Sequence, residues 1–295
     1  LELRIWFPNS NKGLLKMLVN LNAILPKASK ANYIVPGFNI FGMDEAWQVV
    51  RAAEEECSPI ILMVNKDMVK AYPIELLGGM LKAVARESHY PVCVHLDHTY
   101  EESIIYRAMD SGFSSVMFDG SQLPIEENIA RSKAVAEVAH SKGITLEGEI
   151  GSVPYPDEKG IKDEKTIPEQ ALEFATKSGV DAMAVSIGNV HKLKRPESVI
   201  DQELLRRIEL ISPVPLVLHG TSGISTEDMK VLVNSKVAKC NIGTILRQAW
   251  GHNLRKEFLN QNGAFDRLTL TKRPLEMLHQ VVVDKICELG SGKKI

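Results

Sequence analysis

The chain has 295 residues, 44% hydrophobic and 24% charged, with a formal net charge of -2. That is ordinary for a globular protein, long enough for one large α/β barrel or two smaller domains, and too near neutrality to point to nucleic acid or an anionic membrane surface. No run approaches the ~18 apolar residues of a membrane span, no secretory leader is evident, and the four scattered cysteines (Cys57, Cys93, Cys240, Cys287) form no CxxC pair, which suits a reducing cytoplasm.

Residues 1–16 fit no later pattern and read as an artificial or flexible extension; one domain is expected over 17–295. Eight short apolar runs then alternate with helical patterns. The first is Tyr33 to Ile40, with a helix from about Asp44 to Glu56. The second is Pro59 to Val64, followed by a helix through Leu76, Leu77, Met80, Leu81 and Val84. The third is Pro91 to His98, with a helix from Glu101 to about Asp110. The fourth is Ser115 to Phe118, with a helix from Ile125 to His140. The fifth is Ile144 to Ile150, the sixth Ala182 to Ile187, the seventh Pro215 to His219 and the eighth Val237 to Ile242. Helices follow from Ile245 to Leu259 and from Pro274 to Leu289.

Short strands that alternate with helices read as βα units in a parallel sheet. Eight such units in about 250 residues predict a single-domain (β/α)8 TIM barrel. A doubly wound open sheet would need a Gly-rich phosphate turn after an early strand, and no GxGxxG or GxxxxGK[ST] follows one. The longest stretch without apolar periodicity, Gly151 to Thr166, reads as a solvated polar loop.

Chemistry gathers at the strand ends. The third strand ends in Asp97 and His98, and the fourth in Asp119 and Ser121. The fifth carries Glu147 and Glu149, and the sixth leads to His191. The seventh ends in His219 and the eighth in Asn241. In a barrel these ends converge on one face, where TIM-barrel enzymes place their sites. Three imidazoles there make a catalytic-zinc ligand set with one position left open, although imidazole also suits iron, cobalt and nickel. The other histidines, His89, His95, His140, His252 and His279, fall mid-strand, in helices or in loops and read as structural. His219-Gly-Thr-Ser-Gly223 and Asn241-Ile-Gly-Thr244 each join a strand to a helix. They offer glycines, hydroxyls and free N–H groups where barrels often bind phosphate.

These residues resemble the class II, metal-dependent ketose-phosphate aldolases, the fructose-bisphosphate and tagatose-bisphosphate aldolase type. The resemblance runs from about Tyr33 to Leu289. It rests on Val94-His-Leu-Asp-His98, Ser115-Val-Met-Phe-Asp-Gly-Ser121, Ile125-Glu-Glu-Asn-Ile129, Glu147-Gly-Glu-Ile-Gly151, Val217-Leu-His-Gly-Thr-Ser-Gly223 and Asn241-Ile-Gly-Thr244. It implies a lyase that reversibly cleaves a ketose 1-phosphate to dihydroxyacetone phosphate and an aldehyde. By that resemblance His98, His191 and His219 hold one Zn2+ per subunit, with Glu149 an alternative or nearby ligand. Asp97 is the acid/base at the C4 hydroxyl, and Asn241 hydrogen-bonds the dihydroxyacetone-phosphate part. Asp119 and Glu147 support the metal side. Gly220, Ser222, Gly223, Gly243 and Thr244 cradle the 1-phosphate. A monovalent cation near the phosphate and a homodimer or homotetramer are also implied.

Departures from the family pattern bear on substrate. The glycine that usually follows the second histidine is Lys192, and Lys194, Arg195 and Pro196 come after it. Gly243 stands where fructose-bisphosphate enzymes usually carry an acid, Arg247 lies one helical turn on, and Asn65 stands where serine is common. Asn65, Lys192, Lys194, Arg195 and Arg247 are therefore candidates to hold a distal group. That group is the second phosphate of fructose or tagatose bisphosphate, the sulfonate of 6-sulfofructose 1-phosphate, or the far end of a deoxy-ketogluconate phosphate. The proton at C3 is expected to be handled by an acid of the polar loop, Asp157, Glu158, Asp163 or Glu164. A metal-dependent TIM-barrel hydrolase and a non-catalytic sugar-phosphate-binding barrel are the rival classes.

Overall fold

The computed structural model describes residues 17–156, 163–193, 195, 197–260 and 265–294. The expected extension at 1–16 lies outside them. The chain enters through a two-residue strand, β1 (Leu18–Val19), a 3-10 turn (Leu21–Ala23) and α1 (Leu25–Lys30). The eight predicted strands follow. They are β2 (Val35–Asn39), β3 (Ile60–Val64), β4 (Val92–Thr99), β5 (Ser115–Phe118), β6 (Thr145–Ile150), β7 (Ala182–Val185), β8 (Leu216–Leu218) and β9 (Val237–Ile242). All pair in parallel, each with its neighbour, and β9 closes on β2 through Val35↔Lys239 and Gly37↔Asn241. The result is a closed eight-stranded barrel. β1 pairs only with the start of β4, where β5 has not yet begun.

The helices are α2 (Met43–Glu55), α3 (Lys66–Ala71), α4 (Ile74–Arg86), α5 (Glu102–Asp110), α6 (Ile125–Ser141), α7 (Pro168–Lys177), α8 (Gln202–Ile211), α9 (Thr226–Val233), α10 (Thr244–Asn260) and α11 (Arg267–Glu288). α4 shows why they pack where they do. Its buried residues Ile74, Leu77, Gly78, Leu81, Val84 and Ala85 recur at helical spacing and face the strands. Side-chain caps start several helices: Asp201 accepts from Leu204 N, Ser225 from Asp228 N and Asp266 from Thr269 N.

Three local expectations change. The second strand leads first into short α3, because the Asn65 side chain caps it by accepting from Asp67 N and Met68 N. The last helix begins at Arg267 rather than Pro274. Asp266 caps it, and buried Pro274 sits inside, where the helix forgoes one backbone bond and its ring packs in the core. β7 and β8 stop short of Ser186 and His219, which frees both ends for loops.

The barrel interior is layered. At the bottom, Leu21, Ile24 and Leu25 plug the opening and pack on Ile61, Met63, Cys93, Ala182, Ala184 and Val217. Inside the barrel next to these residues, His95, Glu147 and Lys239 form a fully buried polar cluster. Above it, at the carboxyl ends, lie the candidate site residues. None of the described helices is long and apolar enough to cross a membrane.

Candidate active site

Adjacent residues on a regular strand point to opposite faces. Asp97 and His98 nevertheless both turn into the barrel mouth, and a bulge explains how. Leu96 pairs with Val116 and Thr99 with Phe118, so β4 has one residue more than β5 over this stretch. The backbone takes up the extra residue at His98, whose φ is 38°. That left-handed conformation is uncommon outside glycine and turns the imidazole inward beside the Asp97 carboxylate. His98 Nε2 is 4.0 Å from Asp97 Oδ1.

His191 arrives on the loop after β7, anchored by His191 N donating to Pro154 O at 3.0 Å. His219 follows β8. Buried Asn189 holds the intervening segment by accepting from Ile187 N at 2.8 Å and donating to His219 O at 3.0 Å. Ligand atoms of His98, His191 and His219 all lie within 4.8 Å of one another.

The hydrogen bonds are polarised in a way that suits a cation. His98 Nδ1 is 2.8 Å from Asp119 Oδ2, and His219 Nε2 is 3.0 Å from Glu147 Oε1. Each carboxylate claims one ring nitrogen as a donor. The opposite nitrogens, His98 Nε2 and His219 Nδ1, and also His191 Nε2, are buried without a hydrogen-bond partner. Glu149 Oε2 is likewise unpartnered, 3.2 Å from His219 Nδ1 but out of hydrogen-bond alignment. Burying one such atom is unfavourable by about 1–3 kcal/mol. The three histidine nitrogens facing one another fit a divalent ion, with Glu149 alongside His219, and imidazole with carboxylate is a zinc-type donor set. His98 and Glu149 also belong to a second possible group with Asp119.

Charge supports the same fit. Asp97, Asp119, Glu147 and Glu149 are all buried here, and among the described residues Lys239 is the one buried lysine facing them. Burial pulls His219 down, but Glu147 and Glu149 outweigh it and hold the imidazole at about 10. Burial opposes charge on His98 too, yet Asp97 and Asp119 leave it raised. His191 falls well below its ordinary value through burial, helped by the charges of His98, His219, Lys66 and Lys192. Burial would raise Asp97, but the His98, His219 and Lys239 charges hold it low, as an ionised base.

The cleft above is lined by Asp97, His98, Tyr155, His191, Asn241 and Arg247, and by the two glycine-bearing loops. Gly220, Ser222, Gly243 and Thr244 line it. Thr221 Oγ1 donates to Asn241 O at 2.6 Å and ties the loops together. Gly220 is required: its φ is 64°, and a Cβ there would lie 2.6 Å from the Val190 carbonyl. Gly243 and Thr244 open the long helix α10, whose free N–H groups favour an anion. Gly223 does not line the cleft; the position of its missing Cβ is filled by Leu193 and Ser198.

The distal candidates separate. Asn65, Lys192 and Arg247 line the cleft. Lys192 has φ 57°, so it keeps a glycine-like backbone while adding a cation. Arg247 lies over the Phe41 ring at 4.9 Å and 3.8 Å from Asp67. Arg195 faces a neighbouring cavity behind the loops. Lys194 lies outside the described residues, as do Asp157 and Glu158; Asp163 and Glu164 are exposed on the loop. Sequence reasoning missed Tyr155, which stacks on His191 at 4.0 Å between ring centroids and 9° between planes. Lys66 Nζ sits 4.4 Å and Lys192 Nζ 5.2 Å from the Tyr155 ring centroid.

A model of the family described as fructose-bisphosphate aldolase class-II matches residues 19–294. The chain belongs to the class II fructose-bisphosphate aldolase family. It is therefore a class II aldolase, a carbon–carbon lyase, which sets aside the hydrolase and scaffold readings. Two curated relatives are each 34% identical. One, 6-phospho-5-dehydro-2-deoxy-D-gluconate aldolase of Shouchella clausii, aligns over 94% of this chain and 96% of its own length. The other, fructose-bisphosphate aldolase of Mycoplasma genitalium, aligns over 94% and 100%. Among solved structures, the YdjI aldolase of Escherichia coli K12 superposes with a TM-score of 0.84 at 32% identity, over 94% of this chain and 99% of that one. Class II aldolases are generally metal-dependent, and the unpartnered histidine nitrogens of this class II aldolase stand where such an ion would be held.

Proposed function

We propose that the chain is a zinc-dependent aldolase that reversibly cleaves a ketose 1-phosphate carrying an anionic distal group, giving dihydroxyacetone phosphate and an aldehyde. One observation carries this reading. Three buried, unpartnered imidazole nitrogens, on His98, His191 and His219, converge beside an ionised Asp97 at the floor of a cleft with two anion-binding loops.

The residues divide the work. The loops bearing Gly220, Ser222, Gly243 and Thr244 take the 1-phosphate on backbone N–H groups and hydroxyls. Asp97 accepts the C4 hydroxyl proton as the C3–C4 bond breaks and C4 becomes a carbonyl carbon. The bond's electron pair stays on the C3 side, and an acid of the loop between β6 and α7 returns a proton to C3. His98, His191 and His219, with Glu149 alongside, would hold a zinc ion, which would supply Lewis-acid stabilisation of that negative charge worth several kcal/mol. No lysine Schiff base is then needed. Tyr155 packs over His191 and helps keep water out.

Fructose 1,6-bisphosphate is the reference substrate. Lys192 and Arg247 at the cleft, with Asn65 capping α3, also favour a distal carboxylate or sulfonate, and the relative that acts on a deoxy-dehydrogluconate phosphate supports the former. The four free cysteines suit a reducing cytoplasm. A homodimer or homotetramer is the assembly that goes with this reading, to be read by light scattering.

The test is coupled detection of dihydroxyacetone phosphate. Fructose 1,6-bisphosphate, tagatose 1,6-bisphosphate, 6-sulfofructose 1-phosphate and 6-phospho-5-dehydro-2-deoxy-D-gluconate are run side by side, with and without EDTA. Release that EDTA abolishes and zinc restores supports the reading, and the preferred substrate identifies the distal group. No release from any of them with zinc bound overturns it.

A further inference from the structure

Lys239 is the only buried lysine or arginine among the described residues and has no exposed surface. It stands on β9 two residues before Asn241, so both side chains point into the barrel. A lysine there loses its hydration and is tolerated only if partners replace the water. Its Nζ donates to Glu147 Oε1 at 3.1 Å and to Asn241 Oδ1 at 2.6 Å, and lies 2.9 Å from Glu147 Oε2.

Each partner leads to a different half of the site. Asn241 Nδ2 donates to Asp97 Oδ1 at 2.9 Å. Glu147 Oε1 is 3.0 Å from His219 Nε2. A carboxamide has an acceptor end and a donor end, and an ammonium group has donors alone. The Asn241 oxygen must therefore face Lys239, which turns its NH2 toward Asp97. On the other side the ammonium compensates the Glu147 carboxylate. Glu147 then claims the proton on His219 Nε2 and leaves His219 Nδ1 bare, facing the other histidine nitrogens.

We propose that Lys239 is a positioning residue that sets two hydrogen-bond directions at once: the orientation of the Asn241 amide against Asp97, and the tautomer of His219 through Glu147. The inference deepens the proposed function and rests on it. Lys239 touches neither substrate nor metal. It couples the acid/base half to the metal half from the layer beneath them.

Lys239→Met keeps the length and removes the ammonium. With saturating zinc, kcat for the preferred substrate falls about 100-fold or more, while KM changes less than about threefold. Zinc affinity of the apoprotein, measured by competition with a chromophoric chelator, weakens about 10–100-fold. Lys239→Gln, whose amide can still donate to Asn241 Oδ1, recovers at least about tenfold of the kcat. In an Asn241→Ala background, Lys239→Met adds less than about threefold to the kcat loss but still weakens zinc binding, because the two arms are separate.

Wild-type kcat in Lys239→Met, losses additive with Asn241→Ala, or a change confined to melting temperature overturns the inference. If both single variants fail to fold, Glu147→Gln/Lys239→Met removes the charge together with its partner. It must turn over at least about tenfold more slowly than Glu147→Gln alone, and equality within about threefold overturns the inference. Wild-type enzyme is the control: inactive wild type refutes the aldolase substrate class, whereas active wild type with an unimpaired Lys239→Met refutes this inference alone.

Discussion

Replacing Asp119 with asparagine changes one oxygen for an amide nitrogen at a position whose surroundings fix the outcome. Asp119 Oδ1 accepts from Ser121 N at 3.2 Å and Ser121 Oγ at 2.7 Å, and Oδ2 lies 2.8 Å from His98 Nδ1. In Asp119→Asn the amide oxygen stays with the Ser121 donors, because a backbone N–H can only donate. The NH2 end then faces His98 Nδ1, which must become the acceptor. The imidazole proton moves to Nε2, the nitrogen that faces His191 and His219, and the ligand set loses one lone pair. Disturbing such an outer partner typically weakens metal binding about 10–100-fold, which is about 1.4–2.7 kcal/mol. Asp119→Ala imposes no tautomer and is expected to weaken binding less than Asp119→Asn. The assay is zinc competition between apoprotein and a chromophoric chelator, with circular dichroism to check the fold. Unchanged zinc affinity in Asp119→Asn, or a larger loss in Asp119→Ala, would refute the tautomer reasoning.

Asp97→Asn should lower kcat about 10²–10⁴-fold while leaving zinc affinity within a few-fold, since the proposed function makes Asp97 the base and not a ligand; a large loss of zinc would reassign it. Arg247→Ala should raise KM for substrates with a distal anion about tenfold and leave stability nearly unchanged, because its contact with Asp67 at 3.8 Å is an exposed ion pair. Equal KM values would remove Arg247 from the distal subsite. His95 gives a pH prediction. Burial, then the Lys239 charge, pushes its imidazole down to about 3 in the fold, against an ordinary value near 6.5. Between those values the unfolded chain binds the extra proton, so the stability from neutral His95 is whole above about pH 6.5 and is lost as pH falls toward 3. Urea midpoints of the apoprotein should therefore fall more steeply from pH 6.5 to 4 in wild type than in His95→Gln, and parallel slopes would contradict the assignment.

The barrel was legible because eight short strand-like runs recur at βα spacing, with helical patterns named after the first four and the eighth. The histidine trio was legible because His98, His191 and His219 stand at or just past the carboxyl ends of three such runs. Lys239 was not, because within Val237-Ala-Lys-Cys-Asn-Ile242 a lysine looks like a polar interruption of a core strand. Its partner Glu147 lies 92 residues away, and only barrel closure brings the two together. Tyr155 was missed for a related reason. Between Pro154 and Pro156 it reads as loop punctuation, and its stacking on His191 depends on where the loop after β7 returns. Gly223 shows the converse: a glycine that resembles phosphate-loop chemistry makes room for Leu193 and Ser198 instead. Pro274 resembled a helix start because proline favours the first turn, yet the stronger signal was the Asp266 cap eight residues earlier.

The bulge on β4 has a mechanical consequence. His191 and His219 are carried by different segments, so any shear between barrel staves alters their spacing from His98. Asp97 and His98 are joined by one trans peptide, which fixes their Cα atoms about 3.8 Å apart however the staves slide. The base and one metal ligand of the proposed function thus stay neighbours along the backbone. On that reading, shear between staves would change the distances of His191 and His219 from His98 before it changed the Asp97–His98 separation.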